Sequence, residues 1–495
     1  MRNTLFTILL FLISNIIIAQ KIDIKELNSI ENKTKASLYN FINHRNGIYS
    51  VLLSNDKTLN IDYIDSTLEQ KNIASTRISE NMNILSVLIA EEKPAVIFSI
   101  YHTDKKINAC YYSPIENISD NTKHILLSEI NNVAPNNAGR FNFIISEDKN
   151  LFAIIKEHPF DRTKNEQLSV GVYSATDVKK IWTRDYTLEV MSRMYPINVY
   201  NLNNRGEVYA VKKEQDKTNY KYILYCFNKE SSLSNARTFT LQGKYISDII
   251  PTINKKGEFI LAGFYSTYNY TDYEGYFIYR FNNSMQTIFR QVNTFGGAVL
   301  TNVLGKKAAA KEDASLSGFM LEHIAQRNDG GFYFMAEKHQ VYKDKSGNDM
   351  VLDEDIFIFS TDADGNALGA NLIKKKQETP KHNEKYTSFN YWLHNDSLNI
   401  IYNKINFDEN ALKQGKKSKT DEFGENNFAG TTWFYMNNKC EIKKNKVLTG
   451  LFKDVNIPMA VNIQLIKIFD NGHIILFSSD YLNTRYKYII VINKE

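Results

Sequence analysis

One short pattern recurs along this chain: a turn that carries glycine, followed at once by a run of apolar residues. Asn204-Arg205-Gly206 leads into Val208-Tyr209-Ala210-Val211, and Lys256-Gly257 into Phe259-Ile260-Leu261-Ala262. Asp329-Gly330-Gly331 leads into Phe332-Tyr333-Phe334-Met335, and Asn471-Gly472 into Ile474-Ile475-Leu476-Phe477. Glycine serves in such turns because tight hairpins require positive φ. A second apolar strand follows each, at residues 222–227, 276–281, 356–359 and 488–492. Looser copies without the glycine lie at 151–155 with 168–173, and at 398–402 with 433–435. The weakest are nearest the N-terminus, at 48–53 and 95–100. With these strands designated B and C, the A strands begin near Leu38, Met82, Phe141, Ile197, Ile246, Phe319, Tyr386 and Asn462. Strand D is clearest at 287–292 and 366–373, and the chain divides into eight units.

Residues 259–264 and 474–477 are apolar at consecutive positions, so both faces of those strands must be covered. A sheet with one face in water would alternate instead. Across nearly all of residues 20–495 the repeat resembles a β-propeller, whose blades are sandwiched between neighbours. The resemblance implies a single all-β domain of four-stranded antiparallel blades, eight in number, with seven as the alternative. Tandem β-sandwich domains are the second choice. The last unit ends at Glu495 directly after its C strand, whereas residues 21–27 form a short alternating segment with no partner in their own unit. Pairing the two would close the ring and leave no free sheet edge. There is no regular Trp-Asp dipeptide and no kelch glycine pair, so the resemblance implies a fold and no chemistry.

Met1-Arg2-Asn3 starts the chain with positive charge, an apolar run fills residues 5–18, and Ala19-Gln20 follows. That is the form of a secretory signal peptide cleaved after Ala19, placing the product in the periplasm or outside the cell. No other segment reaches the length of a membrane span. Losing Arg2 takes the net charge from +5 to +4, too small to indicate a nucleic-acid partner. Three cysteines (Cys110, Cys226 and Cys440), odd in number and widely spaced, form no disulfide framework.

The connections are unequal. A–B and C–D turns are short, whereas length gathers in the B–C connections at 157–167, 267–274, 338–353 and 405–431, and in the D–A crossover at 296–317. B–C and D–A connections of an antiparallel blade leave by the same face. All the long ones therefore belong to one rim, where binding residues concentrate on a rigid scaffold. The crossover residues 308–313 are expected to form a short helix capping that rim.

On the rim, Tyr268, Tyr270, Asp272 and Tyr273 offer aromatic faces with hydrogen-bonding edges, suited to a sugar ring or a protein. His339 and Tyr342 lie in the neighbouring connection beside several carboxylates, among them Asp353. The six together are the candidate ligand-binding residues. Thr361-Asp362-Ala363-Asp364-Gly365-Asn366 has its glycine at the fourth position from Asp362, where a calcium loop needs it at the sixth, and reads as a plain turn. No metal-ligand spacing, nucleophile elbow, phosphate loop or dinucleotide fingerprint occurs, so no cofactor is expected. These features favour a non-enzymatic scaffold holding a protein or glycan on the rim that bears the B–C and D–A connections of units five to seven. A polysaccharide hydrolase or lyase, with carboxylates converging at the central channel, is the alternative.

Overall fold

The computed structural model describes the chain from Lys21 to Lys494, apart from residues 27–29, 32–35, 45–46, 55, 66–68, 194–197, 217–218, 231–234, 312–313, 405–429, 448–458, 469–472 and 481–484. The expectations for the N-terminal apolar segment, the Asn471-Gly472 turn and the connection at 405–429 lie outside these residues.

Eight sheets of at least four antiparallel strands follow one another along the chain. Their first strands are Ala36–His44, Met82–Ala90, Arg140–Ile145, Asn198–Leu202, Tyr245–Ile253, Met320–Gln326, Phe389–His394 and Met459–Ile468. Each starts within three residues of its expected position. The count is eight, and the alternative of seven falls away. The last sheet has three strands from the C-terminal end, Met459–Ile468, His473–Asp480 and Arg485–Lys494, and takes Lys21–Glu26 as its fourth. That pairing sets Lys21 opposite Lys494 and Glu26 opposite Ile489. The first strand of unit eight also lies beside the first strand of unit one.

The burial pattern explains the stacking. Phe259–Ser266, strand B of unit five, is buried at every position, and its C strand Gly275–Phe281 nearly so. The outer strand Lys180–Met191 of unit three alternates buried and exposed toward its end. Ile260 and Phe264 pack with Phe334 and Phe357 of unit six, whereas Phe259 and Leu261 pack with Tyr209 and Leu224 of unit four. Similar shared cores join units one to two, two to three, three to four and six to seven. Units two to six are thus covered on both faces, which rules out tandem sandwiches, where one face of each sheet meets water. Cys110, Cys226 and Cys440 are free and buried in these cores. Burial raises all three thiols, Cys226 and Cys440 to about 12.

One five-residue turn recurs. Asn203 Oδ1 accepts the N–H groups of Arg205 and Glu207 at 3.0 and 2.9 Å, and Gly206 between them has φ +83°. Asn254 does the same for Lys256 and Glu258. The C–D turns starting at Asn282, Asp362 and Asn437 repeat the device, with Met285, Gly365 and Cys440 at the positive-φ place. The segment resembling a calcium loop is thus a turn.

Three connections differ from expectation. Residues 338–353 are mostly strand rather than loop: Phe332–Lys343 and Asp349–Thr361 form a long hairpin closed at 344–348. Charged residues on its surface resembled loop composition, but cross-strand pairing continues through them. The crossover of unit five holds helices at Gly297–Leu304 and Lys306–Ala309, so the short helix expected at 308–313 is met only at its start and most of the helix lies N-terminal to it. Val299 and Val303, one turn apart, are buried against Phe295 and Leu316, so apolar spacing outweighs the alanine run. The C–D connection of unit two is also long and contains two 3-10 turns, Ile115–Asn117 and Asn121–Lys123. No described helix is long and apolar enough to cross a membrane.

Candidate functional site

A strip of tyrosines and ionisable groups runs along the B–C and D–A rim from unit four to unit six. At one end the Tyr270 ring meets Tyr220 edge-on at 5.0 Å and Tyr245 at 4.8 Å. Tyr220 opens strand C of unit four, and its N–H donates to the Tyr270 hydroxyl at 3.0 Å. Tyr245 opens strand A of unit five. The Lys213 ammonium stands 4.1 Å from the centre of the Tyr220 ring. Tyr268, two residues before Tyr270 in the same loop, is 74% exposed.

The loop carrying these tyrosines is pinned by its own polar residues. Asn269 Oδ1 accepts the N–H groups of Thr271 and Asp272, and Asn269 Nδ2 donates to the Asp272 carboxylate at 2.9 Å. Glu274 accepts from Ser266, from the Thr267 N–H and from the Thr267 hydroxyl. Asp272–Tyr273 then pairs with Leu316–Ser317 of the crossover, tying the two connections together.

Behind the tyrosines lie the acids. Tyr273 is fully buried and its hydroxyl donates to Asp248, which also accepts the Leu321 N–H at 3.0 Å. Burial raises the Asp248 carboxyl against these donors. Glu322, on strand A of unit six, is raised by burial and further by Asp353 and Asp248, while His339 pulls the other way. His339 Nδ1 is 2.6 Å from Asp353 Oδ1, and Asp353 is 1% exposed. That contact orients the imidazole and leaves Nε2 for another partner. Beyond it Glu337 meets Lys375 at 2.5 Å, with both side chains at most 2% exposed. Ser388 donates to the other Glu337 oxygen at 2.6 Å.

Of the six candidate residues, Tyr268, Tyr270, Asp272 and Tyr273 come together, and His339 joins them through Asp353, Glu322 and Asp248. Tyr273 presents no surface to a ligand and supports Asp248 instead. Tyr342 stands apart: it lies three positions from His339 along the same strand and therefore on the opposite face, where its hydroxyl meets Glu378. Sequence reasoning missed Tyr220, Tyr245, Asp248, Glu322, Glu337 and Lys375. Glu337 had one visible signal, a charge directly after the apolar run 332–336. The described residues contain no group of three or more His, Cys, Asp or Glu side chains able to hold a metal ion.

No protein-family model and no curated protein matches the chain. Among solved structures it is similar to BamB from Moraxella catarrhalis, with 9% identity over 94% of this chain and 99% of that one and a TM-score of 0.39. It is also similar to the β-propeller domain of the Trilobed protease from Pyrococcus furiosus, with 11% identity, 69% and 97% coverage and a TM-score of 0.34. A third is the polysaccharide lyase Uly1, with 8% identity, 92% and 90% coverage and a TM-score of 0.37. The fold rests on the strand pairing of the chain itself: eight sheets follow in chain order, units one to six each share a core with the next, and the arrangement is that of a β-propeller.

Proposed function

We propose that this protein is an exported binding propeller that holds a carbohydrate chain on the rim of units four to six. The observation that carries the reading is the cluster of Tyr220, Tyr245 and Tyr270, with the exposed Tyr268 two residues from Tyr270 on a loop already fixed by internal hydrogen bonds. Aromatic faces take the apolar faces of sugar rings, and neighbouring carboxylates and hydroxyls take their edges. A loop held in place before binding loses little entropy on capture. Glycan-array binding by the purified protein tests this, with Tyr268→Ala and Tyr270→Ala alongside. Signals that drop about tenfold or more in both variants support the strip. Unchanged signals remove it, and a silent array with a protein captured only by the parent chain assigns the strip to a protein partner. Residues 1–19 act in this reading as the export signal, so the N-terminal residue of the exported product is expected to be Gln20.

The His339–Asp353 pair beside Glu322 favours a second reading, acid–base catalysis on the same bound chain. It requires turnover of a glycan that His339→Ala and Glu322→Gln each abolish. Absence of turnover across a broad panel removes it.

A further inference from the structure

A second polar site lies on the same rim in unit three, where the B–C connection forms a cavity of about 600 Å³ lined by His158, Arg162, Lys164, Asn165, Gln167 and Ser192. Its walls are held from several sides. Asn137, in the crossover entering unit three, donates to the Phe160 carbonyl at 2.9 Å and accepts the Phe160 N–H at 2.8 Å. On the far side the Ser192 N–H donates to the Lys164 carbonyl at 2.9 Å, and the Asp161 N–H to Ser192 Oγ at 3.3 Å. The volume falls within the range of small-molecule sites.

The charges in this cavity do not cancel. Asp161 accepts the hydroxyl and N–H of Thr163, which hold its carboxyl down at about 2, and Lys164 stands 3.2 Å away as its counter-ion. Burial lowers His158, whose Nε2 is 3.2 Å from Ser169 Oγ, so the imidazole is neutral at pH 7. Arg162 is exposed at the cavity and has no ion-pair partner among the described residues. One guanidinium therefore remains uncompensated, amid two side-chain amides and a hydroxyl.

We infer that this cavity binds a small hydroxylated carboxylate of the sugar-acid class, with its carboxylate on the Arg162 guanidinium. A planar guanidinium matches a carboxylate with two parallel hydrogen bonds, and Asn165, Gln167 and Ser192 supply donors and acceptors for hydroxyls. The site is two units from Tyr268, so the inference stands apart from the proposed tyrosine strip.

Isothermal titration of the full chain with sodium D-glucuronate tests it, with D-glucose and sodium phosphate in parallel. Saturable one-site binding of glucuronate is expected, at least about tenfold tighter than either comparison compound. Arg162→Gln should weaken it by at least about tenfold, with Arg162→Lys between the two, because a point charge replaces a fork. Tyr268→Ala should leave it unchanged. No saturable binding, equal binding of glucose, tighter binding of phosphate, or full affinity in Arg162→Gln overturns the inference. Loss in Tyr268→Ala overturns it as well, by moving the ligand to the other site.

Discussion

Glu337 closes an otherwise apolar stretch and is sealed between Lys375 and Ser388. Burial raises its carboxyl to about 7, with Asp353 adding to the rise and Lys375 opposing it. A carboxyl raised on folding takes up protons as the chain folds, between its ordinary value of 4.5 and about 7. Its contribution to stability is therefore complete below pH 4.5 and lost as pH rises through 7. The expected size is on the order of 3 kcal/mol across that window. Urea unfolding of the parent and of Glu337→Gln at several pH values checks this. The parent should gain stability relative to the variant as pH falls from 7.5 to 5, and a constant difference would remove the assignment. Why this residue escaped detection is also plain at this scale. A lone glutamate after five apolar residues marks a buried charge, but its partner Lys375 lies in strand D, beyond two intervening turns, and only folding brings them into contact.

Among the elements, the five-residue turns show two forces meeting at one position. The fourth place needs positive φ, which costs a side-chain-bearing residue roughly 1 kcal/mol or more. Gly206, Gly257 and Gly365 avoid that strain, whereas Met285 adopts φ +58° and is 3% exposed. Its side chain packs in the core that includes Leu241, Phe277 and Phe281, and emptying such a position costs about 2–5 kcal/mol. Burial outweighs strain, so Met285→Gly should destabilise the protein by about 2 kcal/mol despite relieving the backbone. Lys149 takes φ +59° at an exposed turn, and Lys149→Gly should change stability by less than about 1 kcal/mol. Denaturant midpoints compare the two, and reversed effects would contradict the ranking. The glycine-bearing turns were legible in the chain because glycine is a local signal. The turn at 281–285 was legible from its length between strands C and D, but the one at Cys440 was not, since a side chain that is both strained and buried looks like neither turn nor core. The charged stretch 338–353 was readable as a solvated hairpin, but how far its strands run was not, because they carry His339, Lys343, Asp349 and Asp353, residues that read as loop.

At the scale of the whole molecule, adjacent units share cores, and the last sheet borrows its fourth strand from the beginning of the chain. The alternation of residues 21–27 and the missing last strand made this pairing legible in advance. The convergence of Asp248, Glu322 and Asp353 was not, because it depends on the angle between neighbouring blades rather than on any spacing in the chain. Removing residues 21–26 would leave the Ile489–Lys494 part of the last strand as an open edge. The expected outcome is a lower thermal midpoint and self-association on size-exclusion chromatography, and an unchanged monomer with an unchanged midpoint would contradict it. The three buried thiols carry a consequence for how such a ring comes apart. Cys110 lies in unit two, Cys226 in unit four and Cys440 in unit seven, each protonated and shielded from solvent. An alkylating reagent can reach each only when its own blade opens. The labelling rates of the three sites under mild denaturant would therefore time the opening of three separate arcs, from one sample and without introducing any residue.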